Sequence, residues 1–227
     1  MLKRVTLLER RPDLPPAEFS GHWRTDHAAI ATELPGLLCY RQNHVVETVT
    51  VPQDGPPYLV DGIVELWFTG PDDARAGLGS AVADRLVEDE PRFLAGLTGG
   101  TMTAPEPGPL SAASVWLLGC WDGPADRHAL EAWVSAAAGD GAALHELDAG
   151  EPLLLREALR REPEMPQVLV QLPAADAGAA LDAARGIGQH LPALSRHLRR
   201  VQVLAATVAS IVEPRPAPAE SAPKETN

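Results

Sequence analysis

Phe19-Ser20-Gly21-His22-Trp23-Arg24-Thr25-Asp26-His27, followed by Leu34-Pro35-Gly36-Leu37-Leu38-Cys39-Tyr40-Arg41-Gln42-Asn43-His44, sets the reading of the fold. Phe19, Trp23, Ile30 and Leu34 recur at helical spacing and form one apolar stripe. Pro35-Gly36 stops that helix, and an alternating strand follows at once over residues 37–47. Working outward, residues 3–9 read as a strand, and a Pro-rich turn at 11–16 leads into the helix, which runs from about residue 16 to 34. A loop holding Pro52, Asp54-Gly55 and Pro56-Pro57 separates the second strand from a third at 62–68. A second helix starts at Pro71-Asp72-Asp73 and runs to about Glu88, and residues 93–103 make a fourth strand weakened by Gly96, Gly99 and Gly100.

Residues 105–110 read as a linker, and the order then repeats: strand 113–121, helix 124–138, strands 153–160 and 167–172, helix 176–190, strand 199–212. Each half is β-α-β-β-α-β, the ferredoxin-like arrangement. The fold class is α+β: two such units in tandem, residues 1–104 and 111–213, covering each other's sheets and closing a barrel within one chain. A monomer is the expected state. Residues 214–227 are rich in Pro, Ala and Glu and are expected to form a disordered tail.

The chain has 227 residues, 45% of them hydrophobic, which is ample for a full core. Its net charge of −12, with basic residues scattered, argues against nucleic acid and anionic membrane as partners. No apolar run approaches the roughly 20 residues that span a bilayer. The N-terminus lacks the apolar core of a signal peptide, so a cytoplasmic location is expected. Cys39 and Cys120 show no ligand spacing and read as reduced thiols, with no metal site. GxGxxG, GxxxxGK[ST], GxSxG and HExxH are absent, so nucleotide, flavin and serine-hydrolase readings lack support.

Three of the seven histidines lie in the opening stretch, and imidazole moves protons near neutral pH without a cofactor. On a 3.6-residue wheel His27 flanks the apolar stripe and points to the sheet, as a core histidine or as a catalytic one. His22 and Asp26, four apart, fall on the other flank. Alternation puts Leu38, Tyr40, Gln42 and His44 on one strand face, which suits a lined cavity or an exposed sheet face; Asn43 faces the other way, towards the strand junction. Ile63, Glu65 and Trp67 share a face of the third strand, where a carboxylate in apolar surroundings must find a donor or raise its pKa. The second half carries no Tyr or apolar-embedded Glu on a strand and reads as a structural partner.

The first hundred residues resemble the EthD family of dimeric α+β barrel proteins. The match lies in Leu7-Leu8-Glu9-Arg10-Arg11-Pro12, Phe19-x-x-His22-Trp23-x-x-x-His27, Leu34-Pro35-Gly36-Leu37-x-x-Tyr40-x-Gln42-Asn43, and Asp61-Gly62-x-x-Glu65-Leu66-Trp67-Phe68. The resemblance implies ferredoxin-like units that pair sheet to sheet, here as an intramolecular dimeric α+β barrel. It implies a pocket between sheet and helices, a helix histidine as acid/base group and a strand tyrosine lining the pocket, which by type and position correspond to His27 and Tyr40.

The expected function is acid/base chemistry of the enolate type, without a cofactor, on a small hydrophobic oxygenated molecule of aromatic or polyketide kind. Isomerisation, decarboxylation and cyclisation share that step. His27, Tyr40 and Glu65 are the candidate catalytic residues; Phe19, His22, Trp23, Gln42, His44 and Trp67 are the candidate substrate contacts. A cofactor-free monooxygenase and a non-catalytic binder of an apolar metabolite stand as alternatives.

Overall fold

Alternation along β1 (Leu2–Arg10) sends Val5 and Leu7 into one core and Leu8 into another, so both faces of the sheet are buried. The computed structural model describes residues 1–138, 141–148, 156–194 and 196–214. After β1 come α1 (Pro16–His22), a π-turn (Trp23–His27), α2 (Ala28–Ala31), β2 (Leu37–Thr50), β3 (Gly62–Phe68), α3 (Pro71–Leu78), α4 (Ala81–Asp89) and β4 (Leu94–Thr103). The second unit follows with β5 (Ala113–Trp121), α5 (Arg127–Ala138), β6 (Ala143–Glu146), β7 (Val168–Ala174), α6 (Ala177–Leu194) and β8 (Leu198–Val212).

The strands form a single sheet in the order β4-β1-β3-β2-β8-β5-β7-β6. Each unit has the ferredoxin-like order, and the seam between them is the antiparallel pair β2–β8, from Tyr40 opposite Val212 to Thr50 opposite Val203. The sheet curls until its far edges meet. Thr101 and Asp148 exchange backbone hydrogen bonds of 3.4 and 2.9 Å, and Arg160 pairs with Ala95 and Leu97 at 2.9 Å each. Gly100 permits that approach, because a Cβ there would lie 2.7 Å from the Asp148 carbonyl oxygen. The two units thus close a barrel inside one chain, as expected, and β4, far from failing, spans ten residues.

Three cores result. One lies in the barrel lumen, where Val5 and Ile63 of the first unit meet Trp116, Leu118, Leu169 and Leu204 of the second. The others lie under the helices of each unit, around Phe19, Trp23 and Phe93 and around Leu130, Ile187 and Leu194.

The second strand of the second unit departs from the expectation at 153–160. It is Ala143–Glu146. Residues 153–155 lie outside the described residues, and the stretch from Arg156 to Arg160 is a turn spent on the other unit: Arg156 holds Glu90, and Arg160 Nε donates to Glu9 at 2.7 Å. The second helix of the first unit is divided at Gly79-Ser80, where the Ser80 hydroxyl caps α4 by accepting from the Ala83 N–H. Residues 215–227, most of the expected tail, lie outside the described residues.

Candidate active site

The helix that carries His22 and His27 widens to a π-turn between them, with the Ala28 N–H reaching back to the Trp23 carbonyl. In a regular α-helix residues five apart point about 140° from each other. The π-turn stacks them instead, and both rings reach one carboxylate at the end of α4. His27 Nδ1 lies 3.0 Å from Asp89 Oδ2, and His22 Nε2 lies 3.1 and 3.0 Å from the two oxygens. Phe93 packs on both imidazoles, each 4.9 Å between ring centres. His22 also keeps the expected partner Asp26, at 3.4 Å.

Asp89 has a side chain only 6% exposed. Burial pushes its carboxyl up, but the hydrogen bonds from His27 and His22 outweigh this and hold it below the ordinary carboxylate range. An ionised Asp89 accepts from the Nδ1–H of His27, which puts the lone pair of the neutral ring on Nε2. Among the described residues, no group hydrogen-bonds that Nε2.

A second network lies deeper, between α1 and β2. Tyr40, Gln42 and His44 share the face that meets the helix, as alternation required. The Trp23 indole N–H donates to the Tyr40 hydroxyl at 3.1 Å, and Gln42 Nε2 donates to the same oxygen at 2.7 Å and to the Trp23 carbonyl at 2.9 Å. Gln42 Oε1 therefore accepts from His44 Nε2 at 3.1 Å, and His44 Nδ1 accepts from the Ser20 hydroxyl at 3.1 Å. Burial, with Arg24 nearby, pushes the His44 ring down to about 4, so it is neutral at pH 7. Burial also pushes the Tyr40 phenol up. The Trp23 indole packs closely against Gly62, where a Cβ would come within 2.5 Å of the ring.

Glu65 and Trp67 face the other way, into the lumen. Lys3 Nζ pairs with Glu65 Oε1 at 2.6 Å, and Glu65 Oε2 accepts from Asn43 at 2.9 Å and Gln171 at 3.1 Å. Burial pushes the Glu65 carboxyl up, but Lys3 and Asn43 hold it below the ordinary range. The Lys3 ammonium lies 4.6 Å from the Trp67 ring centre and donates to His145 Nε2 at 3.4 Å. Burial and Lys3 push His145 down to about 4. His145 is also a wall of a cleft of about 330 Å³ where β4 and β6 part, lined by Thr101, Thr103, Arg127 and Glu146 among others.

The predicted residues thus divide. His22 and His27 converge on Asp89. Phe19, Trp23, Tyr40, Gln42 and His44 form the helix–sheet wall behind them, with Phe19 5.7 Å from Trp23 and 5.8 Å from Phe93 between ring centres. Glu65 and Trp67 lie across the sheet from both. No hydrogen bond joins His27 to Tyr40. Asp89, Phe93, Lys3, His145 and Gln171 escaped the sequence reading; only the topology brings them to these places. Among the described residues, no group of three or more His, Cys, Asp or Glu side chains is placed to hold a metal ion. No described helix is long and apolar enough to cross a membrane.

The EthD family profile matches residues 11–96, the segment that holds α1, β2, β3 and Asp89. This segment is similar to EthD domains. No curated protein matches the chain. Among solved structures, a protein of Fusobacterium nucleatum subsp. nucleatum named as a monooxygenase is 9% identical, with 96% of this chain and 95% of that one aligned at a TM-score of 0.55. A protein named as a chlorite dismutase is 8% identical over 92% and 95% of the two chains at 0.53. An anthrone oxidase-like protein is 9% identical over 96% of each at 0.52. At such identities the likeness is one of fold, and it extends over both units. The EthD-like segment therefore lies in one half of an α+β barrel whose other half is supplied by the same chain.

Proposed function

We propose that the EthD-like segment moves a proton at a carbon next to a carbonyl, in a small oxygenated ring compound of aromatic or polyketide type, without a resident cofactor. His27 is the acid/base group. The observation that carries this is the 3.0 Å contact between His27 Nδ1 and Asp89. A base whose far nitrogen is fixed by a buried carboxylate is oriented and poised in one tautomer, and its near nitrogen is left to the substrate. Asp89 also steadies the imidazolium that forms. Phe93, Phe19 and Trp23 are fully buried and form the apolar backing that holds the two imidazoles in place.

Tyr40 acts here as a positioning residue. It is 1% exposed and takes hydrogen bonds from Trp23 and Gln42, so it holds the indole and with it the π-turn. Isomerisation and cyclisation consume an enolate that His27 forms by deprotonation, and decarboxylation releases CO2 to leave an enolate that His27 protonates; the substrate's own structure sets which applies. The monooxygenase and oxidase-like names among the neighbours support an oxidative branch, in which dioxygen adds to the same carbanion.

The test is solvent deuterium exchange at the acidic carbon of a panel of cyclic aromatic ketones, followed by proton NMR. Exchange by the wild-type protein that falls about 10²–10⁴-fold in His27→Ala supports the proposal. Exchange that survives His27→Ala overturns it, and a ketone bound without exchange identifies a binding protein.

A further inference from the structure

We propose that the linker end of the barrel lumen binds a small organic carboxylate, at a site separate from His27 and centred on Arg41 and Ser210. These residues lie directly opposite each other across the β2–β8 seam. Among the described residues, both present a buried polar atom with no hydrogen-bond partner, Nε of Arg41 and Oγ of Ser210. The folded chain has thus stripped water from two adjacent groups without replacing it. One of them belongs to a permanently charged side chain that is only 8% exposed. Buried guanidinium N–H groups are normally paired, so a bare one next to a bare hydroxyl marks a place built for an acceptor.

The surroundings define the acceptor's charge and shape. The guanidinium stands 5.5 Å from the Trp67 ring centre, and one Nη donates at 2.5 Å to the carbonyl of Gly108, in the linker that crosses this end of the barrel. The charged groups nearby are Lys3 and Glu65, joined at 2.6 Å, and the exposed Glu213; among the described residues, no carboxylate forms an ion pair with the Arg41 guanidinium. The Cys39 thiol beside Arg41 is neutral, pushed up to about 11 chiefly by burial. Glu213 contributes its field from an exposed position. A compact anion with coplanar oxygens satisfies the Arg41 N–H and the Ser210 O–H together and gives the guanidinium the direct anionic partner it lacks. A carboxylate has that form. A tetrahedral phosphate is larger and more strongly hydrated.

The probes are sodium benzoate, sodium acetate and inorganic phosphate, titrated calorimetrically into the full chain with tryptophan emission recorded alongside. Saturable binding of benzoate or acetate in preference to phosphate is expected. Arg41→Gln is expected to weaken it at least tenfold, and Ser210→Ala at least threefold. Without ligand, Ser210→Ala should hold or raise the thermal midpoint, because it removes an unpaired buried hydroxyl, and this variant decides the matter should Arg41→Gln fail to fold. His27→Ala should bind the probe like wild type, which separates this site from the acid/base centre. No saturable binding, tighter binding of phosphate, or equal affinity in Ser210→Ala overturns the proposal.

Discussion

Asp89 does what no single residue of the opening motif does alone: it collects His22 and His27 on one carboxylate and leaves one imidazole nitrogen to act. Asp89→Asn removes the charge but keeps the shape, so it should cut the deuterium exchange rate at least tenfold while the thermal midpoint changes little. An unchanged rate would reduce Asp89 to a packing residue. The lumen pair behaves differently. Lys3→Met leaves the Glu65 carboxylate buried and without its cation, at a cost of about 3–5 kcal/mol of stability. The double variant Lys3→Met/Glu65→Leu should recover most of that in urea unfolding. His44 and His145, whose folded-state values are both pushed from 6.5 down to about 4, add a pH term of defined sign. Each binds a proton more readily when unfolded, so the stability they allow is complete above pH 6.5 and is lost as pH falls from there towards 4. Stability measured across that window should fall less steeply in His44→Gln than in wild type.

At the level of elements, the π-turn shows where a regular period stops being a guide. The 3.6-residue wheel correctly turned Trp23 to the sheet, and alternation correctly joined Tyr40, Gln42 and His44 on one face. The same wheel set His22 and His27 on opposite flanks, because nothing in Trp23-Arg24-Thr25-Asp26-His27 announces an inserted residue. The turn is held from outside, by Gln42 on the Trp23 carbonyl and by the indole seated on Gly62. Gly62→Ala should therefore cost about 1–3 kcal/mol through overpacking and also lower exchange at the distant His27. A variant that loses stability without losing rate would uncouple the turn from the chemistry. β6 was illegible for a related reason. Ala143-Leu144-His145-Glu146 has little strand character, and it is a strand because β7 offers it an edge. The Leu- and Arg-rich run after it looked more like one, but its arginines are committed to Glu90 and Glu9 across the barrel.

For the whole molecule, the tandem order and the barrel were legible, since strand–helix order survives even where local sequence is weak. The mixed lumen was not. Alternation turns Asn43 towards the strand junction, and there it links Glu65 to Ser114 and Trp116 of the second unit, at 2.9, 2.8 and 3.2 Å. Contacts of that kind join residues far apart in sequence and leave no local pattern. Because the lumen core is common to both units, calorimetry should show one cooperative unfolding transition, and two separated transitions would mean that the halves fold independently. One chain supplies both halves of the barrel, so light scattering should give the mass of a monomer.

All of this converges on the state of a single ring. Nitrogen-15 NMR of histidine-labelled protein reports which imidazole nitrogen carries the proton. With the ring neutral, His27 should be protonated on Nδ1 and bare on Nε2, and Asp89→Asn should erase that preference. A neutral His27 carrying its proton on Nε2 in the wild-type protein would contradict the acid/base assignment outright.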